Sequence, residues 1–72
     1  MSEADFRRLQ KELRSRVKAR AGSQVREFHI EVCPDGIRLS GTTTTFYGKQ
    51  IVQQCAREIL PNLQVVNDIS VR

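Results

Sequence analysis

Between Ala21 and Val25 the spacing of apolar residues changes from three and four to two. Upstream, Phe6, Leu9, Leu13, Val17 and Ala21 form one stripe of an amphipathic helix. Downstream, Phe28, Ile30 and Val32 alternate with Glu27, His29, Glu31 and Cys33, the pattern of a strand with one dry and one wet face. A chain that switches period this abruptly has to lay a helix against a sheet, because neither apolar face can be buried alone.

The rest of the chain supplies the other elements. Ser2 followed by Asp5 resembles a capping box, and Gly22 is a natural stop, so the first helix is predicted over residues 3–21. Strands follow over 25–33 and 37–42, then a polar connector, Thr42 to Thr45, in which Thr45 is placed to cap a second helix over 46–60. Gly48, Ile51, Val52, Cys55 and Ile59 form the apolar face of that helix, and Pro61-Asn62 ends it. A third strand over 64–71 turns Val65, Ile69 and Val71 to one side. The expected fold is α+β: one domain over 1–72, a two-layer sandwich in αββαβ order. Two helices cover one face of a three-stranded mixed sheet, and a right-handed crossover makes the third strand parallel to the second. Seventy-two residues allow one small core, since a chain of this size buries only about 60% of its unfolded surface.

The stretch VCPDGIRLSG joins the first two strands. A two-residue turn at Asp35-Gly36 would set Pro34 against Ile37, Cys33 against Arg38, Val32 against Leu39 and Ile30 against Gly41. Apolar residues then meet apolar or small partners. A turn at Pro34-Asp35 with Gly36 as a bulge would set Val32 against Arg38, so the Asp-Gly turn is the expected one. Gly41 falls on the dry face, where a strand glycine signals close approach by another backbone, here expected to be a helix.

Twelve basic and eight acidic residues give a net charge of +4. The excess lies in the first 22 residues, where seven basic residues oppose Glu3, Asp5 and Glu12. At 100° steps Arg7, Lys11, Arg14 and Lys18 fall on one stripe of the first helix. Glu3 can pair with Arg7, and Glu12 with Arg8 and Arg16, which leaves Lys11, Arg14 and Lys18 without an acid on their own helix. Such a stripe beside an apolar face attracts an anionic lipid surface; the plain alternative is a solvated face that keeps a small domain soluble. Phe46, off the apolar face of the second helix, is expected to fold back as a lid, with an exposed interfacial anchor as the other reading.

The remaining features exclude more than they suggest. The charged N-terminal run MSEADFRRLQ is no secretory signal, and no apolar run approaches the ~20 residues of a membrane span. Cys33 and Cys55 are expected as free thiols, Cys55 packed on a helix face, which favours the cytoplasm slightly over the periplasm. His29 and Cys33 share a strand face about 13 Å apart, too far to hold one metal ion. No nucleophile pairs with His29, so an enzyme, a cofactor and a small-molecule substrate are not expected. Nucleic acid is disfavoured because the open sheet face, with Glu27, His29, Glu31, Arg38 and Ser40, lacks stacking aromatics.

The ordered set of IEVCPDGIRLSGTTTTF, an amphipathic helix and VVNDISV resembles the BON domain, a small bacterial module of osmotic-shock and nodulation-related proteins. The residues that carry the resemblance are Asp35-Gly36, Ile37-x-Leu39-Ser40-Gly41 and Val66-Asn67, and it spans residues 5–72. Pro34 and the early helical Gly48 depart from it. The resemblance implies an αββαβ fold, no catalytic machinery and an attachment role, with phospholipid binding proposed for the family. Asp35, Gly36, Gly41 and Asn67 are then expected to determine the fold. Arg7, Lys11, Arg14, Lys18 and Phe46 become the candidate lipid or anion contacts. Association with another protein, or self-association through the open sheet face or a strand edge, is the second expectation.

Overall fold

The computed structural model describes residues 2–72. The helix α1 (Glu3–Ala21) leads through a 3-10 turn (Gly22–Gln24) into strands β1 (Val25–Cys33) and β2 (Gly36–Thr43). Helix α2 (Phe46–Ile59) and strand β3 (Gln64–Val71) complete the chain. β2 is the middle strand, antiparallel to β1 and parallel to β3, so the fold is α+β with αββαβ order and a mixed sheet.

Each helix begins where its cap chemistry puts it. Ser2 Oγ accepts from the Asp5 N–H at 3.1 Å while the Asp5 carboxylate accepts from the Ser2 N–H at 3.3 Å, a complete capping box. Thr45 Oγ1 accepts from the Gly48 N–H at 3.0 Å and starts α2. The apolar stripe of α1 (Leu9, Leu13, Val17, Ala21) and that of α2 (Ile51, Val52, Cys55, Ala56) meet Ile30, Ile37, Leu39 and Ile69 of the sheet in one core. Asn67 locks the two layers together. Its Nδ2 donates to the Lys49 carbonyl at 3.0 Å, and its Oδ1 accepts from the Ile69 N–H at 3.1 Å.

The hairpin register differs from the expected one. Cys33 faces Gly36, Val32 faces Ile37 and Ile30 faces Leu39, with Pro34-Asp35 as the turn. Gly36 is no bulge and has no positive φ, so the mirror-image turn that Asp-Gly favours does not form. Pro34 instead takes the second position of the turn and Gly36 the fourth, the places those residues prefer in a type I turn. The displacement is by an even number of residues, which preserves the alternation of faces, so polarity alternation could not detect it. Val32, expected on the dry face, is nevertheless 57% exposed near the hairpin end. Gly36 is required by β3: a side chain there would run into the backbone of Gln64, its partner in the parallel ladder.

Gly41 is also closely approached, but by β1 and not by a helix. Glu27 and Phe28 together oppose Gly41, a bulge in which Glu27 takes φ 54° and Gly41 φ 143°. A Cβ on Gly41 would lie 2.8 Å from the Arg26 carbonyl oxygen and 2.9 Å from that of Glu27. The helix approach is made at Gly48, where a Cβ would strike Thr43 Oγ1 at the end of β2. Its weak helix propensity is the cost of that contact. Gly36→Ala should lower stability by about 1–3 kcal/mol through overpacking, whereas Asp35→Ala at the exposed turn should stay within about 0.5 kcal/mol. Urea unfolding monitored by circular dichroism measures both.

Candidate functional site

Because Leu9, Leu13, Val17 and Ala21 are turned into the core, the charged residues of α1 are sorted to its two flanks and its outer surface. On the flank toward α2, Arg16 reaches Glu12 at 3.0 Å and Glu58 of α2 at 3.2 Å. Arg20 grips the same Glu58 with both terminal nitrogens, at 2.7 and 2.9 Å. Near the N-terminus Arg7 pairs with Glu3 at 3.2 Å, as the four-residue spacing implies.

These pairings leave Lys11, Arg14 and Lys18 with no ion-pair partner among the described residues, and they add Arg8 to that set. Glu12, which spacing offers to both Arg8 and Arg16, goes to Arg16 because Arg16 also finds Glu58. Glu58 lies 42 residues from Arg16 in the chain, so no helical spacing rule could reveal it.

The four unpaired cations occupy adjoining surfaces. Arg8 and Lys11 border a shallow hollow with Glu12, Ser15 and Arg16. Arg14 and Lys18 border a cleft of about 440 Å³ between α1 and the start of β1, floored by Val17, Val25 and Phe28. The Arg14 guanidinium stands 5.5 Å from the centre of the Phe28 ring, a cation–π contact that holds the side chain in place and leaves its charge available.

Phe46 does not belong with them. It is 72% exposed, so it is no lid. As the first residue of α2, pinned by the Thr45 cap, it projects from a flank where the core cannot reach it. It borders a separate groove of about 690 Å³ with Lys49, Gln50, Gln53, Arg57 and Asn67, and that groove shares no residue with the two on α1. The structure thus brings Lys11, Arg14 and Lys18 together, holds Arg7 in a local pair, and places Phe46 elsewhere.

On the open sheet face Glu31 stands opposite Arg38, whose Nε lies 3.5 Å from an Asp68 oxygen, so charge there is largely compensated. His29 and Cys33 line the same face. No cluster of three His, Cys, Asp or Glu side chains suited to a metal ion occurs among the described residues. No helix among them is long and apolar enough to cross a membrane. Compared with models of protein families, with curated proteins and with solved structures, the chain matches none.

The paired charges make two measurable claims. Hydrogen bonding from Arg20, with the charges of Arg20 and Arg16, outweighs partial desolvation and holds the Glu58 carboxyl below its ordinary value of 4.5. Ser2 likewise lowers Asp5, through its side-chain and backbone hydrogen bonds. A depressed native pKa adds stability that is complete above the unfolded value and is lost as pH falls through the native one. Stability should therefore decline below about pH 4.5, and Glu58→Gln should flatten that decline without abolishing it, because Asp5 still titrates. Chemical denaturation at a series of pH values tests this. Cys55 is fully buried and its thiol is pushed up chiefly by that burial, against the opposing charge of Arg20. In the native protein a thiol-specific reagent should label Cys33 readily and reach Cys55 only after unfolding.

Proposed function

We propose that this chain is a non-catalytic, BON-like attachment module that docks through α1 onto an anionic phospholipid surface. One observation carries the reading. Arg8, Lys11, Arg14 and Lys18 remain unpaired on exposed parts of α1, while the neighbouring arginines of the same helix are matched to carboxylates. Basic side chains near an anionic leaflet each contribute about 1 kcal/mol. Four of them support weak, reversible binding that salt screens away within a Debye length of about 8–10 Å. The cleft floored by Val25 and Phe28 offers apolar surface beside two of the cations, the second ingredient peripheral binding needs.

Protein–protein interaction is the second reading. The unpaired outer edge of β3 favours it over the open sheet face, where Glu31, Arg38 and Asp68 compensate one another.

Co-sedimentation with phosphatidylglycerol-containing and with pure phosphatidylcholine vesicles, at low and physiological salt, separates the readings. Binding to anionic vesicles alone is expected. It should fall at least about 100-fold in Lys11→Glu/Arg14→Glu/Lys18→Glu, since removing three contributions of this size already costs that much. Unchanged binding in that variant, or equal binding to neutral vesicles, overturns the assignment.

A further inference from the structure

We infer that the edge of β3 accepts an extended peptide from another protein as a fourth strand, and that this peptide carries two carboxylates flanking an apolar side chain. The inference rests on the protein-interaction reading and is independent of the lipid reading.

The two sheet edges are treated differently. β1 is an edge strand broken by the bulge at Glu27-Phe28 and studded with Arg26, Glu27 and Glu31, devices that discourage further pairing. The bulge also turns Phe28 against the core, with Arg14 stacked on it. β3 has none of these protections. It pairs with β2 in unbroken register from Gln64 to Val71, contains no proline and bears a single charge, Asp68. Apart from the Ile69 N–H, which already donates to Asn67 Oδ1 at 3.1 Å, the outward amides and carbonyls of β3 have no partner strand among the described residues.

There is also room for a strand. Two helices of about 10–12 Å diameter side by side cover about 20 Å or more, the width of four strands spaced about 4.8 Å apart. The sheet has three. The unfilled width shows on the β3 side, where Phe46, Lys49, Gln50, Gln53 and Arg57 of α2 overlook Asn67 across the groove of about 690 Å³. A strand hydrogen-bonded to β3 would lie beneath that flank and turn alternate side chains into the groove.

Charge and spacing describe the occupant. Lys49 and Arg57 are the cations of the groove, and its one carboxylate, Glu58, is already held by Arg16 and Arg20. Eight residues of helix place Lys49 and Arg57 about 12 Å apart, close to the roughly 13 Å between strand residues i and i+4. Acidic side chains at those positions can each meet a cation, while the residue between them packs on the stems of Gln50 and Gln53. The Phe46 ring closes one end. A second copy of β3 fits poorly, because its lone carboxylate Asp68 faces the other side of the sheet, beside Arg38.

The test is a two-dimensional amide NMR titration of the whole chain. The probe is a synthetic strand peptide in which Glu, Val and Glu alternate with Thr, set against its Lys, Val, Lys counterpart. The glutamate peptide should shift amides of Gln64–Val71 and of the α2 flank, and slow exchange along β3. It should bind at least tenfold more tightly than the lysine peptide, and this preference should reverse in Lys49→Glu/Arg57→Glu. Core amides such as those of Leu13 and Val52 report that the variant is folded. Absence of β3 shifts, or equal binding of both peptides, overturns the inference. If both peptides fail while the sedimented mass rises with protein concentration and β3 amides shift, the partner is a second copy. The inference then falls and the interaction reading stands. If neither effect appears, both fall.

Discussion

β2 can be the middle strand only because it lets other backbones come close. At one end Gly36 admits the Gln64 peptide of β3, and further along Gly41 admits the carbonyls of the β1 bulge. Just past the strand Gly48 brings the first turn of α2 down onto Thr43. A methyl group at any of these positions would push apart elements that share a core. With the approaches made, Leu39 and Ile37 are sealed between the strands and both helices, and the Asn67 amide is near enough to α2 to bond the Lys49 carbonyl. The close contacts act before the apolar packing in the causal order, since they set the distances across which that packing occurs.

This explains which parts of the fold could be read from the sequence. Periodicity reports which face of an element is dry, and it placed both helices and all three strands, because their apolar stripes are regular. It is blind to any displacement that preserves faces. The hairpin register was therefore open to an even-numbered shift, and the choice between turns depended on where Gly36 was needed. The glycine signal itself was readable at Gly41; what approached it was not, since a helix and a bulged neighbouring strand demand the same absent side chain. Gly48, a poor helix former by propensity, makes sense only once Thr43 is seen beneath it.

The candidate surfaces divide along the same line. Local pairing rules found Glu3–Arg7 and Glu12–Arg16 because those partners are one helical turn apart. They could not find Glu58, which draws two arginines toward α2 and thereby releases Arg8 to the outer surface. The basic character of α1 was visible as composition, but how much of it stays uncompensated is a tertiary property. Phe46 shows the converse case. Its position off the apolar face was evident from helical geometry, while its destination depended on how wide the helical layer is relative to the sheet.

That width argues against treating the two surfaces as one site. The cations of α1 border hollows on that helix and against β1, and the groove at β3 belongs to α2. A ligand on one need not displace a ligand on the other. If both readings hold, a partner held at β3 while α1 rests on a membrane is confined near the surface, and its encounters there become effectively intramolecular. Such coupling needs no conformational change and no catalytic group. It needs two weak, separately addressable faces on a domain small enough that both remain exposed, and a chain of 72 residues with one shared core meets that condition.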